Sequence, residues 1–191
     1  IIVRFWIISI ILALMALATV NCGVGQSGHV WFLAGTGGGP VTRSCTVPVG
    51  KAIFFPVVNV INDFPCPDPS FQPAPGQSLE DFLTEGANYY IDRVAELEIE
   101  VDGVLLRDPF RFRATSDLFT FTGDPSLTAV FDPCITGSPQ EAVTDGYWIL
   151  VAPLAPGEHT LHFRGKIVFD DGGAFESNAT YALVVAPRHH H

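Results

Sequence analysis

Residues 1 to 20, IIVRFWIISIILALMALATV, form an apolar segment broken by a single charge, Arg4. A stretch like this cannot be left in water, so whatever buries it constrains the fold and the assembly more than any other feature. Three readings compete. As a secretory signal, Arg4 supplies a short positive region, Phe5 to Met15 an apolar core, and Ala16-Leu17-Ala18 a small-residue cleavage site. As a membrane span, the charge-free run from Arg4 to Cys22 is slightly short of the roughly 20 apolar residues that cross a bilayer, so membrane attachment follows only if the segment is a retained anchor. As a strand, residues 1 to 12 are rich in β-branched side chains, which favour a pleated, packed setting. Ile1, Val3, Phe5, Ile7 and Ile11 then share one face, and Ile2, Trp6, Ile8, Ile10 and Leu12 share the other with Arg4. Such a strand needs cover on both sides.

The remaining chain is long enough for one domain with a substantial core, expected over residues 21–186 and followed by a short tail, 187–191. The chain carries 20 acidic and 10 basic residues, a net charge of −10, which excludes an electrostatic footprint for nucleic acid. The four cysteines, Cys22, Cys45, Cys66 and Cys134, include no C-x-x-C pair, so a zinc knuckle or thioredoxin-type motif is not indicated. Disulfides suit an exported chain better. Of the three possible connectivities, Cys22–Cys45 with Cys66–Cys134 is favoured, because Cys66 and Cys134 each fall in a long loop.

Short apolar or alternating runs separated by turn residues predict a mainly β chain, an immunoglobulin-like or jelly-roll-type sandwich with one short helix and an extended N-terminal segment. Strands are expected near residues 29–33, 41–47, 52–60, 95–101, 110–114, 118–121, 147–152, 159–169 and 174–185. Asp102-Gly103, between two apolar runs, is a hairpin signal. Ser78 is a plausible N-cap for a helix with Leu79, Phe82, Leu83, Tyr90, Ile91 and Val94 on its apolar face, although Gly86 weakens it. Long loops are expected over residues 62–77 and 123–145.

The blocks Gly28-His29-Val30-Trp31-Phe32-Leu33-Ala34-Gly35 and Cys45-Thr46-Val47-Pro48-Val49-Gly50-Lys51-Ala52-Ile53-Phe54-Phe55-Pro56 resemble a family of uncharacterised secreted proteins of environmental microbes. Asp145-Gly146-Tyr147-Trp148 and Leu154-Ala155-Pro156-Gly157-Glu158-His159-Thr160 extend the likeness. The resemblance implies export and a β-rich fold, and it carries no activity.

No catalytic constellation stands out. Gly35-Thr36-Gly37-Gly38-Gly39-Pro40 lacks the Lys-Ser/Thr ending of a phosphate loop and reads as a turn. His29, His159 and His162 could hold a metal only if the fold gathers them, and three residues of separation put His159 and His162 on opposite faces of a strand. Asp170-Asp171-Gly172-Gly173, and Asp63 with Asp68, lack the ligand spacing of a calcium loop. Glu96, Glu98 and Glu100 alternate with Leu97, Ile99 and Val101, predicting a solvent-facing acidic stripe. Asn178-Ala179-Thr180 is an N-x-S/T sequon, so Asn178 is the candidate for a glycan. No cofactor, metal or catalytic residue is expected, and the chain is read as no enzyme.

The expectation is a secreted structural subunit of an extracellular filament, whose partners are other copies of itself in a head-to-tail homopolymer. Ile1, Val3, Phe5, Trp6, Ile7, Ile8, Ile10 and Ile11 would form the inserted strand. The logic resembles that of fibre subunits joined by donor strands. The alternative is a secreted monomeric β-sandwich binding module that loses its first eighteen residues.

Overall fold

The computed structural model of the protein describes residues 21–129 and 132–186. The candidate inserted strand, residues 1–12, and the tail, 187–191, lie outside the described residues.

Two mixed sheets pack face to face. Sheet A contains β1 (Val30–Phe32), β3 (Ala52–Phe64), β8 (Pro139–Val151), β6 (Arg113–Thr115) and β7 (Phe119–Thr122), the last two both paired to β8. Sheet B runs β2 (Gly39–Pro48), β10 (Ala174–Ala186), β9 (Gly157–Val168), β4 (Val94–Val101) and β5 (Val104–Leu105). This order is immunoglobulin-like. β3, β8 and β6 with β7 take the places of strands B, E and D, and β4, β9 and β10 those of C, F and G. The sheets are mixed because β1 joins β3, and β2 joins β10, in parallel.

Alternation along the strands builds the core. In β9, Leu161, Phe163, Gly165 and Ile167 point inward while His162, Arg164 and Lys166 point out. In β10, Ala179, Tyr181, Leu183 and Val185 do the same. Phe55 of β3 stacks on Phe163 of β9, with ring centroids 4.7 Å apart, bridging the two sheets. The Asp102-Gly103 hairpin forms as expected. Its two residues have φ of 51° and 77°, and Val101 pairs with Val104 across them.

Helix α1 (Leu79–Ile91) starts at the expected cap, where the Ser78 hydroxyl accepts the Asp81 amide at 3.1 Å. Glu80 and Asp81 lie in its first turn, where the helix dipole favours negative charge. Gly86 has a packing reason: a Cβ there would sit 2.1 Å from Asn62 Nδ2, whose amide donates to Leu83 O. A larger residue at 86 would displace the Asn62 amide from Leu83 O, so glycine suits a position where helix propensity alone argues against it.

Four expectations need correction. Residues 109–112 form a 3-10 turn, and only Arg113–Thr115 is extended, because Pro109 opens the turn after Asp108 at φ 50°. β8 begins at Pro139, well before Tyr147, so the loop expected to reach residue 145 is shorter. Ala142, Val143, Thr144 and Asp145 are all buried, so this stretch shows none of the polar-apolar alternation that marks a strand. β3 likewise extends to Phe64, absorbing Asn62 and Asp63 from the expected loop, and Val94 belongs to β4 rather than to the helix.

Both disulfides are formed as expected, Cys22–Cys45 and Cys66–Cys134, with Cα separations of 5.7 and 4.4 Å. The pairing fits an oxidising compartment. It ties the first described residues to β2 and the loop before β8 to the end of β3.

Candidate functional site

The feature with most chemical potential is an edge of sheet A. β3 is 13 residues long, yet β1 pairs only with Ala52, Ile53 and Phe54. Among the described residues the last backbone bond on that side runs from Leu33 N–H to Phe54 C=O, at 2.9 Å. Beyond it the chain turns inward instead of continuing the sheet. Arg43, buried on β2, donates from Nη1 to Ala34 O (3.0 Å), Gly35 O (2.8 Å) and the Tyr181 hydroxyl, which itself donates to Ala34 O at 2.7 Å. These bonds hold Ala34 and Gly35 against Arg43 of β2 and Tyr181 of β10 and away from the β3 ladder. Past Pro56, among the described residues, the backbone of Val57 to Phe64 thus has β8 as its strand partner on one side and no strand on the other. Asn59 to Asn62 are half-buried along this edge.

The other edges are better protected. β2 has Pro40 near its start and Pro48 at its end, while β5, β6 and β7 are only two to four residues long. Gln26 shields β1, its side chain accepting from Phe32 N at 2.9 Å and donating to Phe32 O at 2.8 Å, as a strand would.

The outer face of sheet A beside this edge is apolar. Phe54 lies parallel to Trp148 at 5.8 Å between centroids, meets Phe32 edge-on at 5.7 Å, and is directly opposite Leu150, which is 59% exposed. The outer face of sheet B is charged. Arg164 bridges Glu96 (2.7 Å) and Glu176 (2.8 Å), Lys166 meets Glu96 (3.3 Å), and His162 approaches Glu98 (3.6 Å). Glu96 and Glu98 are exposed, as the alternation predicted, whereas Glu100 is half-buried. What the sequence reading missed is their partner stripe, which His162, Arg164 and Lys166 spell out at period two.

The expected glycan acceptor Asn178 lies on that charged face, half-buried, with Nδ2 donating to Glu176 (3.2 Å) and Oδ1 3.2 Å from His162 Nε2. The histidines are not gathered. His162 faces Glu98 and Asn178, whereas His159 sits between the Asp102 carboxylate (2.7 Å) and Ala155 O (2.8 Å). Among the described residues the one grouping of metal-ligand type is Asp63, Asp132 and Cys134, in which Cys134 is already oxidised to a disulfide.

Both ring nitrogens of His159 face acceptors, an arrangement satisfied only by the doubly protonated ring. Its pKa is accordingly raised above 6.5, first by Asp102 and then by Ala155 O. Because the folded value exceeds the unfolded one, this clamp stabilises fully below pH 6.5 and is lost as pH climbs through the raised value. A titration of the His159 ring followed by NMR is expected to show a midpoint above 6.5 that falls toward the ordinary value in Asp102→Asn, where the Ala155 O contact remains. An unchanged midpoint in that variant would remove the clamp from the account.

No protein-family model matches this chain, and no curated protein or solved structure is significantly similar to it.

Proposed function

We propose that this chain is an exported structural subunit that polymerises head to tail, residues 1–12 of one copy adding as a strand to the β3 edge of the next. The observation that carries this reading is the flank of β3 from Val57 to Phe64, which no strand covers among the described residues. Strand addition gains affinity from main-chain hydrogen bonds and specificity from alternate side chains, and residues 1–12 are apolar on both faces. The receiving side is apolar too, with Val58 and Val60 directed to the core and Ile61 half-buried beside them. A donor and an acceptor placed on different parts of one chain make a heterologous contact, which propagates instead of closing as a two-fold dimer does. The Cys22–Cys45 bond supports the role, because it fixes the root of the donor to β2 and would pass tension into the sandwich covalently. On this reading the role is mechanical and not enzymatic, and the site of action is extracellular.

A chain lacking residues 1–12 is expected to form no filaments in negative-stain images while keeping the far-UV signature of the sandwich, whose core joins Phe55 and Val58 of β3 to Leu161 and Phe163 of β9 and Tyr181 of β10. Normal filaments from that deletion would end the proposal. Intact mass and N-terminal sequencing of the native protein supply the second arm, because a mature chain that starts near Thr19 has no donor to give.

One observation favours a second reading, a secreted monomeric binding module. The core is complete within one chain: Val47, Phe55, Val57, Phe163 and Tyr181 are all 0% exposed. A mature start near Thr19 in monodisperse particles would select it, with the Phe54–Trp148–Leu150 face as the surface for a ligand.

A further inference from the structure

Phe54 of β3 and Trp148 of β8 form a compact aromatic patch on the outer face of sheet A. The two rings are parallel to within 8° at 5.8 Å, and Trp148 Nε1 donates to Ala114 O of β6 at 3.0 Å. Both contacts fix the rings before any ligand arrives. They also use the one polar group of the indole, so the surface that Trp148 offers outward is apolar. Beside the rings stands one polar side chain, Asn59. It shares this face because it lies directly opposite Gly146, two residues before Trp148 on β8. Glycine at 146 leaves room for it, since a Cβ there would come within 2.5 Å of Asn59 Cβ. The Asn59 amide is half-buried and makes no side-chain hydrogen bond among the described residues. Its two protons and its carbonyl oxygen are thus open to a ligand lying on the rings.

Size and charge select the occupant. Phe54 and Trp148 are half-buried, and Leu150 beside them is exposed. A stable protein interface takes about 20 to 30 residues a side, so this patch is too small for one. None of Phe54, Asn59, Ala114, Trp148 and Leu150 is charged, so an anionic lipid surface or an ionised small molecule finds no counter-charge among them. The patch therefore suits an uncharged ligand of one or two rings, apolar on its face and polar at its rim. A glucose-type pyranose has that form, because its equatorial hydroxyls leave the axial C–H bonds as an apolar face. A β linkage keeps a chain of such rings extended, and Leu150, two residues along β8, carries the apolar surface onward.

We propose that Phe54, Trp148 and Asn59 form a binding site for a neutral saccharide of β-linked glucose type. The C–H face of one pyranose lies against the aromatic rings, and the Asn59 amide donates to one ring hydroxyl and accepts from its neighbour. The apolar contact supplies most of the affinity. The amide supplies the choice, because an apolar ring without hydroxyls leaves it unpaired. The proposal rests on the reading of this face as a ligand surface, and it holds whether or not the chain polymerises.

Calorimetric titration of the native protein with cellohexaose is expected to show saturable binding with a Kd of about 0.1 to 1 mM. Trp148→Ala is expected to weaken it at least about tenfold, and Asn59→Ala about fivefold. Absence of binding at about 10 mM cellohexaose overturns the proposal, as does binding that neither substitution weakens, which would place the sugar elsewhere. Should Trp148→Ala fail to fold, oxidation of Trp148 by N-bromosuccinimide in the unaltered protein, read by peptide mass, decides. Slowing by cellohexaose supports the site, and an unchanged rate refutes it. The neutral dye N-phenyl-1-naphthylamine separates the saccharide from the surface that receives it. Dye emission that falls in Leu150→Ala, with no cellohexaose bound, refutes the saccharide and leaves the ligand surface standing, whereas failure of both probes removes the surface as well.

Discussion

Replacing Arg113 with methionine is expected to destabilise the fold by about 3 to 5 kcal/mol, because it strands a buried carboxylate. Asp145 is 0% exposed and has Arg113 as its ion-pair partner, through Nη2 at 2.6 Å and Nε at 3.1 Å. The same guanidinium reaches Asp92 at 2.6 Å and Asn88 at 3.2 Å, tying the end of α1 to sheet A. Charge and helix anchorage are thus lost together. Urea unfolding followed by tryptophan fluorescence measures the loss, and adding Asp145→Asn to the variant is expected to recover much of it by removing the orphaned charge. A single variant within about 1 kcal/mol of the parent would show that water reaches Asp145 freely and that the pair is not structural.

Phe163→Ala is expected to cost a similar amount, about 3 to 5 kcal/mol, through the cavity it opens. The ring is 0% exposed, stacks on Phe55 at 4.7 Å and lies 6.2 Å from Tyr181, so it touches the inner faces of both sheets. Its neighbours sit on paired strands and cannot collapse inward without breaking register. Leu150→Ala is the matched control, since that side chain is 59% exposed on the outer face and its truncation is expected to stay within about 0.5 kcal/mol. Equal losses in the two variants would contradict the assignment of inner and outer faces. Calorimetry at one pH suffices, and a pH below 6.5 keeps the His159 clamp constant across the comparison.

Much of the fold was legible because its signals are local. Period-two alternation in β9 and β10, the Asp102-Gly103 turn and the Ser78 cap each depend on residues within a few positions, and each appears where the pattern placed it. The cysteine pairing was reachable because each of two long connections held one cysteine. β8 was half-hidden, since a strand buried on both faces shows no alternation, and the buried run from Ala142 to Asp145 was read as loop.

The candidate sites depend on distance in sequence, and there the reading thinned. The apolar donor, residues 1–12, is a property of the sequence alone, as is the acidic stripe at Glu96, Glu98 and Glu100. That β3 lacks a strand past Pro56 among the described residues is not, because it follows from Arg43 and Tyr181 holding Ala34 and Gly35 away from it, across separations the pattern cannot see. The meeting of Asp63 with Asp132, and of Asp145 with Arg113, is of the same kind. Patterning sets which face of each element turns from water, since that choice is made residue by residue. Which elements become neighbours, and which polar groups thereby meet, is decided only when the two sheets close on each other.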